Sequence, residues 1–190
     1  IKWLWTQSER CTVMKQRNKK ELLQKLLAYE ALKKDNHEIS KKQGYWRMAV
    51  EWSHILWKEE KWSSEAIADF LEYVNTHDVT DLPEERRSEI RELIEGKTAW
   101  TVAGGIQRLK QKNKVDDAVN EFVSNVTRTN IDYSLLASEY LLTHGYARKR
   151  MNRIIRSVYF ADKMEPATIM QMRQELFEHK GIWIELDGDT

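Results

Sequence analysis

The sequence predicts an all-α protein, a bundle of about eight helices, and two observations carry that prediction. Only two prolines and seven glycines interrupt 190 residues. Through most of the chain, apolar side chains recur at alternating three- and four-residue steps, the period of a helix buried on one face. The composition is 41% hydrophobic and 32% charged, which suits a globular chain, since disorder goes with few apolar residues and a large net charge. A chain of this length can bury a sizeable core as one domain, 1–190. The one compositional boundary, near residues 76–83, is weak, and no internal repeat or low-complexity stretch is expected.

The elements follow in order. Residues 1–5, Ile-Lys-Trp-Leu-Trp, and 182–186, Ile-Trp-Ile-Glu-Leu, are short and aromatic. They either pair as a small terminal β ribbon or lie as tails on a surface. Over residues 18–34, Leu22, Leu23, Leu26, Leu27 and Leu32 form a stripe flanked by lysines, and Asn36 with His37 is expected to end that helix. Residues 44–60 read as a central helix whose longest apolar stripe passes through Tyr45, Met48, Trp52 and Ile55. Ser63 is placed to cap the next helix, with Trp62 and Ile67 stapled across the cap. Asp81-Leu82-Pro83-Glu84 signals another start, and Gly96 its end. Gly104-Gly105 suggests a turn or hinge. Val115, Val119, Phe122, Val123 and Val126 give an amphipathic helix, Asp132 is expected to cap another, and Pro166 opens the last. In that last helix Ile169, Met172, Leu176 and Phe177 should face inward.

Net charge is +1, but it is unevenly spread. Residues 1–50 carry about +7, 51–100 about −7, 101–156 about +5 and 157–190 about −4. Such alternation either creates a basic face for an anionic partner or lets opposite blocks pack against each other. A lone thiol, Cys11, points to a reducing, cytoplasmic setting. No run is apolar enough to span a membrane, and no secretory leader is visible. No cofactor motif appears, since Gly104-Gly105 lacks the spacing of a phosphate loop.

Residues 132–159 are the best lead to function. A first helix carrying Leu135, Leu136, Tyr140 and Leu141 meets the turn Thr143-His144-Gly145-Tyr146. A second helix then buries Met151, Ile154 and Ile155. Arg148, Lys149, Arg150, Asn152, Arg153 and Arg156 occupy its other faces. This segment resembles helix-turn-helix proteins, although Leu141 stands where a small residue is usual. The resemblance implies that the second helix enters a major groove, its cations meeting phosphates or guanine edges and Asn152 reading adenine. The partner so implied is nucleic acid, above all duplex DNA, and the role regulatory or replication-associated. A secondary basic and aromatic patch joins Lys41, Lys42, Tyr45 and Arg47, a mixture suited to stacked single strands.

Two other readings stand beside it. A non-enzymatic interaction module, an adaptor or inhibitor, would use the acidic 51–100 block or exposed tryptophans, and self-association is open. A small metal-dependent hydrolase would use Glu51 with His54, or the Glu89, Glu92, Glu95 edge. However, a di-iron bundle needs two Glu-x-x-His pairs, and the sequence offers one. No catalytic residue and no metal ligand is assigned.

Overall fold

Helical periodicity becomes six helices among the described residues: α1 (Gln7–Glu60), α2 (Ser64–Thr76), α3 (Glu84–Lys97), α4 (Lys114–Thr143), α5 (Arg148–Ala161) and α6 (Pro166–Lys180). This computed structural model describes residues 7–77, 79, 82–98, 100, 114–161 and 165–185, with side chains from residue 34 onward except 114–118 and 159–161. No strand occurs among them. Residues 182–185 run as irregular chain, and residues 1–6 and 186–190 of the expected ribbon lie outside the described residues, as do Asp81 and Gly104-Gly105.

The described residues hold six helices rather than about eight, and two of the expected breaks do not occur among them. α1 runs straight through Asn36 and His37; both residues cost a helix interior only a few tenths of a kcal/mol, less than glycine or proline. α4 runs straight through Asp132, with no glycine or proline between its ends. Asp132 is therefore not a cap. Its buried carboxylate instead takes two hydrogen bonds from Arg87 of α3, both at 2.7 Å.

Other ends match or shift by local chemistry. Ser63 caps α2, its Oγ accepting from the Ala66 N–H at 3.2 Å. Pro83 itself is the N-cap of α3, and Glu84 accepts from Arg87 and Arg91 rather than closing a capping box. Gly96 lies inside α3, which ends instead at Thr98, whose N–H bonds the Ile94 carbonyl at 2.7 Å. Pro166 opens α6 as expected, and Gly181, at φ 67°, closes it. Ile169 and Leu176 face inward, whereas Phe177 is exposed against Trp183.

The chain divides into two compact units, residues 1–38 and 39–190, with the division inside α1 rather than near 76–83. The first unit is helical from Gln7 onward, and its leucine stripe has side chains outside the described set. The second unit holds the core. Trp52, buried as expected, lies 6.4 Å from Phe70, which also meets Trp62, Tyr133 and Tyr140. Gly44 lets α1 and α4 approach closely: a Cβ there would stand 3.0 Å from Thr129 Cβ and 3.1 Å from the Val126 carbonyl.

A short repeat, missed by whole-chain periodicity, is visible at two helix ends. Glu72-Tyr73-Val74-Asn75-Thr76-His77 closes α2, and Glu139-Tyr140-Leu141-Leu142-Thr143-His144 closes α4. In each copy the Thr Oγ donates to the Tyr carbonyl, at 2.9 and 2.8 Å, and the His Nδ1 lies 2.7 Å from the same oxygen. Orphan carbonyls at two helix ends are thus satisfied in the same way. The two tyrosine rings meet at 5.0 Å, each with its histidine packed on it.

Candidate nucleic-acid interface

The second helix of the 132–159 segment is α5, and its placement begins at the turn. Gly145 has φ 84°, a conformation that only glycine adopts without strain. Around it the Tyr146 N–H bonds the Leu141 carbonyl at 3.0 Å and the Gly145 N–H that of Leu142 at 3.4 Å, the double closure of a left-handed helix end. Trp62 Nε1 donates to the Tyr146 hydroxyl at 2.6 Å, tying the corner to the loop before α2. Met151, Ile154 and Val158 are buried and Ile155 is half-buried, so the face expected to pack does pack.

The basic residues then divide into two groups. Arg150 and Arg153 both donate to Glu60, at the end of α1, through Arg150 Nε to Oε2 and Arg153 Nη2 to Oε1. The Glu60 side chain is 1% exposed, so burial strengthens the pairing. The Arg150 guanidinium also lies 4.0 Å over the Tyr146 ring. Glu60 therefore holds two guanidiniums in fixed positions, yet each keeps nitrogens outside those bonds, and the side chains remain 45% and 58% exposed. Arg148, Lys149 and Arg156 are exposed and make no ion pair with any described residue. Asn152 is half-buried.

The first turn of α5 is electrostatically unusual. Arg148, Lys149 and Arg150 occupy it, with no acidic side chain there. A helix N-terminus carries roughly half a positive charge from its unpaired N–H groups, so acids belong there and cations cost stability. By contrast α3 begins with Glu84 and Glu85.

Of the secondary patch, Tyr45 and Arg47 are engaged within the chain. Tyr45 packs edge-on to the fully buried Tyr133 at 5.5 Å, and burial raises its pKa. Arg47 donates to Glu51 at 2.8 Å. Lys41 is half-buried and Lys42 exposed. Glu51 and His54 also part company: Glu51 serves Arg47, while His54 Nε2 lies 3.1 Å from Glu175 Oε2 on α6. Glu175 further takes Lys58 at 2.9 Å, and hydrogen bonds from Lys58 and then His54 draw its pKa down to about 2. On α3, Glu89, Glu92 and Glu95 are all exposed, and Glu89 accepts from Arg86 at 3.1 Å.

Sequence reasoning missed Glu60. No local pattern links it to residues 90 positions away, and an acid in the last turn of a helix is a common surface residue. The only signal was the unbalanced basic run itself, which needs a counter-charge wherever it folds against the body. No helix among the described residues is long and apolar enough to cross a membrane. The chain matches no family model, no curated protein and no solved structure.

Proposed function

We propose that the protein binds nucleic acid, duplex DNA above all, through the exposed face of α5, in a regulatory or replication-associated role within a reducing, cytoplasmic compartment. The observation that carries this reading is the cationic first turn of α5. Three basic side chains crowd a helix end that already favours anions, at a cost to the fold that an arriving phosphate would reverse. Arg150 gains Glu60 in return, but for Arg148 and Lys149 the departure from a local rule brings no structural gain, which is characteristic of a binding surface. Arg148, Lys149 and Arg156 supply phosphate contacts. Arg150 and Arg153 are positioned by Glu60 and offer their remaining N–H groups, and Asn152 is the candidate for adenine.

Fluorescence anisotropy with labelled duplex DNA, single-stranded DNA and RNA tests the reading. The expected result is tightest binding to duplex, with affinity falling uniformly across sequences on Lys149→Ala and sequence preference relaxing on Asn152→Ala. Equal binding by the parent and by Arg148→Ala/Lys149→Ala/Arg156→Ala overturns it.

A second reading, an interaction module for protein partners, is favoured by one observation. Phe177 and Trp183 are both nearly half exposed and in contact, centroids 5.3 Å apart. Pull-down that depends on Phe177 and Trp183 but not on α5 would select it.

A further inference from the structure

The repeat that ends α2 and α4 extends into the helices that follow them. α3 buries Arg87, Ile90 and Ile94; α5 buries Met151, Ile154 and Val158, at the same three-then-four spacing. Two residues before the first buried position, each helix starts an outer stripe at i, i+3, i+4 and i+7. On α3 this stripe is Glu85, Ser88, Glu89 and Glu92; on α5 it is Lys149, Asn152, Arg153 and Arg156. At three of the four positions acid on one helix stands where base stands on the other, and the second position is uncharged in both, Ser88 and Asn152. The third member of each stripe is tied within the chain, Glu89 to Arg86 and Arg153 to Glu60. The first and fourth members, Glu85 and Glu92 against Lys149 and Arg156, are exposed and make no ion pair with any described residue. In both stripes those two charges are seven residues apart, about 10 Å along the helix axis at 1.5 Å per residue.

From this match of sign and spacing we propose that the α3 stripe of one copy docks on the α5 stripe of a second copy. The interface is heterologous, because the two surfaces differ. Each docked pair therefore keeps one free stripe of each kind, and association proceeds to a chain, or to a ring if the rotation closes. The contact is made of exposed charges, so salt dissolves it. It also occupies the α5 face, so self-association and nucleic-acid binding exclude each other on any one helix. The proposal does not depend on nucleic acid being the ligand.

Sedimentation velocity of the full chain, free of nucleic acid, tests it with two charge-reversed variants. Glu85→Lys/Glu92→Lys removes the acidic stripe, and Lys149→Glu/Arg156→Glu removes the basic one; circular dichroism checks that both fold. At low salt the parent should sediment as species whose mass grows with concentration and falls to monomer at high salt. Each variant alone should stay monomeric. An equimolar mixture of the two should associate again, since each supplies the stripe the other lacks and the two reversed stripes also match in sign. A parent monomeric at low salt, variants that associate as the parent does, or a mixture that stays monomeric each overturns the proposal. Glu85→Lys/Glu92→Lys leaves α5 unchanged, so its duplex affinity reports on the nucleic-acid reading separately.

Discussion

Single side chains decide more here than their exposure suggests. Arg87 and Asp132 form a bidentate pair with side chains 9% and 1% exposed, and the pair joins α3 to α4. Removing one partner strands a buried charge, so Asp132→Ala should cost about 3–5 kcal/mol, read from urea unfolding. Arg148 behaves oppositely. It sits exposed in the first turn of α5 against the helix dipole, so Arg148→Glu should raise the thermal midpoint by about 1–3 °C while weakening duplex binding. A fall in midpoint would show that the cation serves the fold. Acid stability has a local source in the contact of α1 with α6. Burial lowers the His54 pKa below its ordinary 6.5, so the stability its neutral form contributes is present above pH 6.5 and is lost as pH falls. Glu175, held at about 2 against an ordinary 4.5, contributes stability above pH 4.5 that is lost between 4.5 and 2. Unfolding midpoints measured against pH should fall in both windows, and Glu175→Gln should flatten the lower one.

At the level of elements, the sequence was legible wherever a helix end is written in local chemistry. Ser63, Pro166 and the Gly145 corner each carry a signal that acts within a few residues, and each stands where expected. Asn36, His37 and Asp132 look like ends but are not: the first two cost a helix interior little, and the third has a partner on another helix. Asp132 is engaged by Arg87, 45 positions away, a distance that periodicity cannot see. Gly44, the first residue of the central helix that the sequence predicts, is a packing position within α1. Replacing glycine in a helix ordinarily gains about 1 kcal/mol. Here the new Cβ meets the α4 backbone, so Gly44→Val should destabilise by about 2 kcal/mol, as overpacking does. Chemical denaturation of that variant checks the sign; a gain in stability would mean that α1 and α4 can part without loss.

For the whole molecule, the alternating charge blocks divide between two uses. Part of the acidic 51–100 stretch is spent inside unit 39–190: Glu60 on Arg150 and Arg153, and Glu84 and Glu89 on arginines of their own helix. Arg86 crosses the other way to Glu139 at 2.6 Å. What internal pairing leaves over is a basic α5 and an acidic α3. The basic helix and its turn were readable from residues 132–159 alone, because both depend on nearby residues. The division of its cations into anchored and exposed sets was not, because Glu60 sets it. Salt dependence of duplex binding tests the central claim that those exposed cations meet phosphates. Each phosphate contact contributes close to one unit to the slope of log affinity against log salt. The parent should bind duplex DNA with a steep negative slope, made shallower by about one in Lys149→Ala and by about three in Arg148→Ala/Lys149→Ala/Arg156→Ala. A parent that binds no duplex at moderate salt, or slopes identical in parent and triple variant, would contradict it.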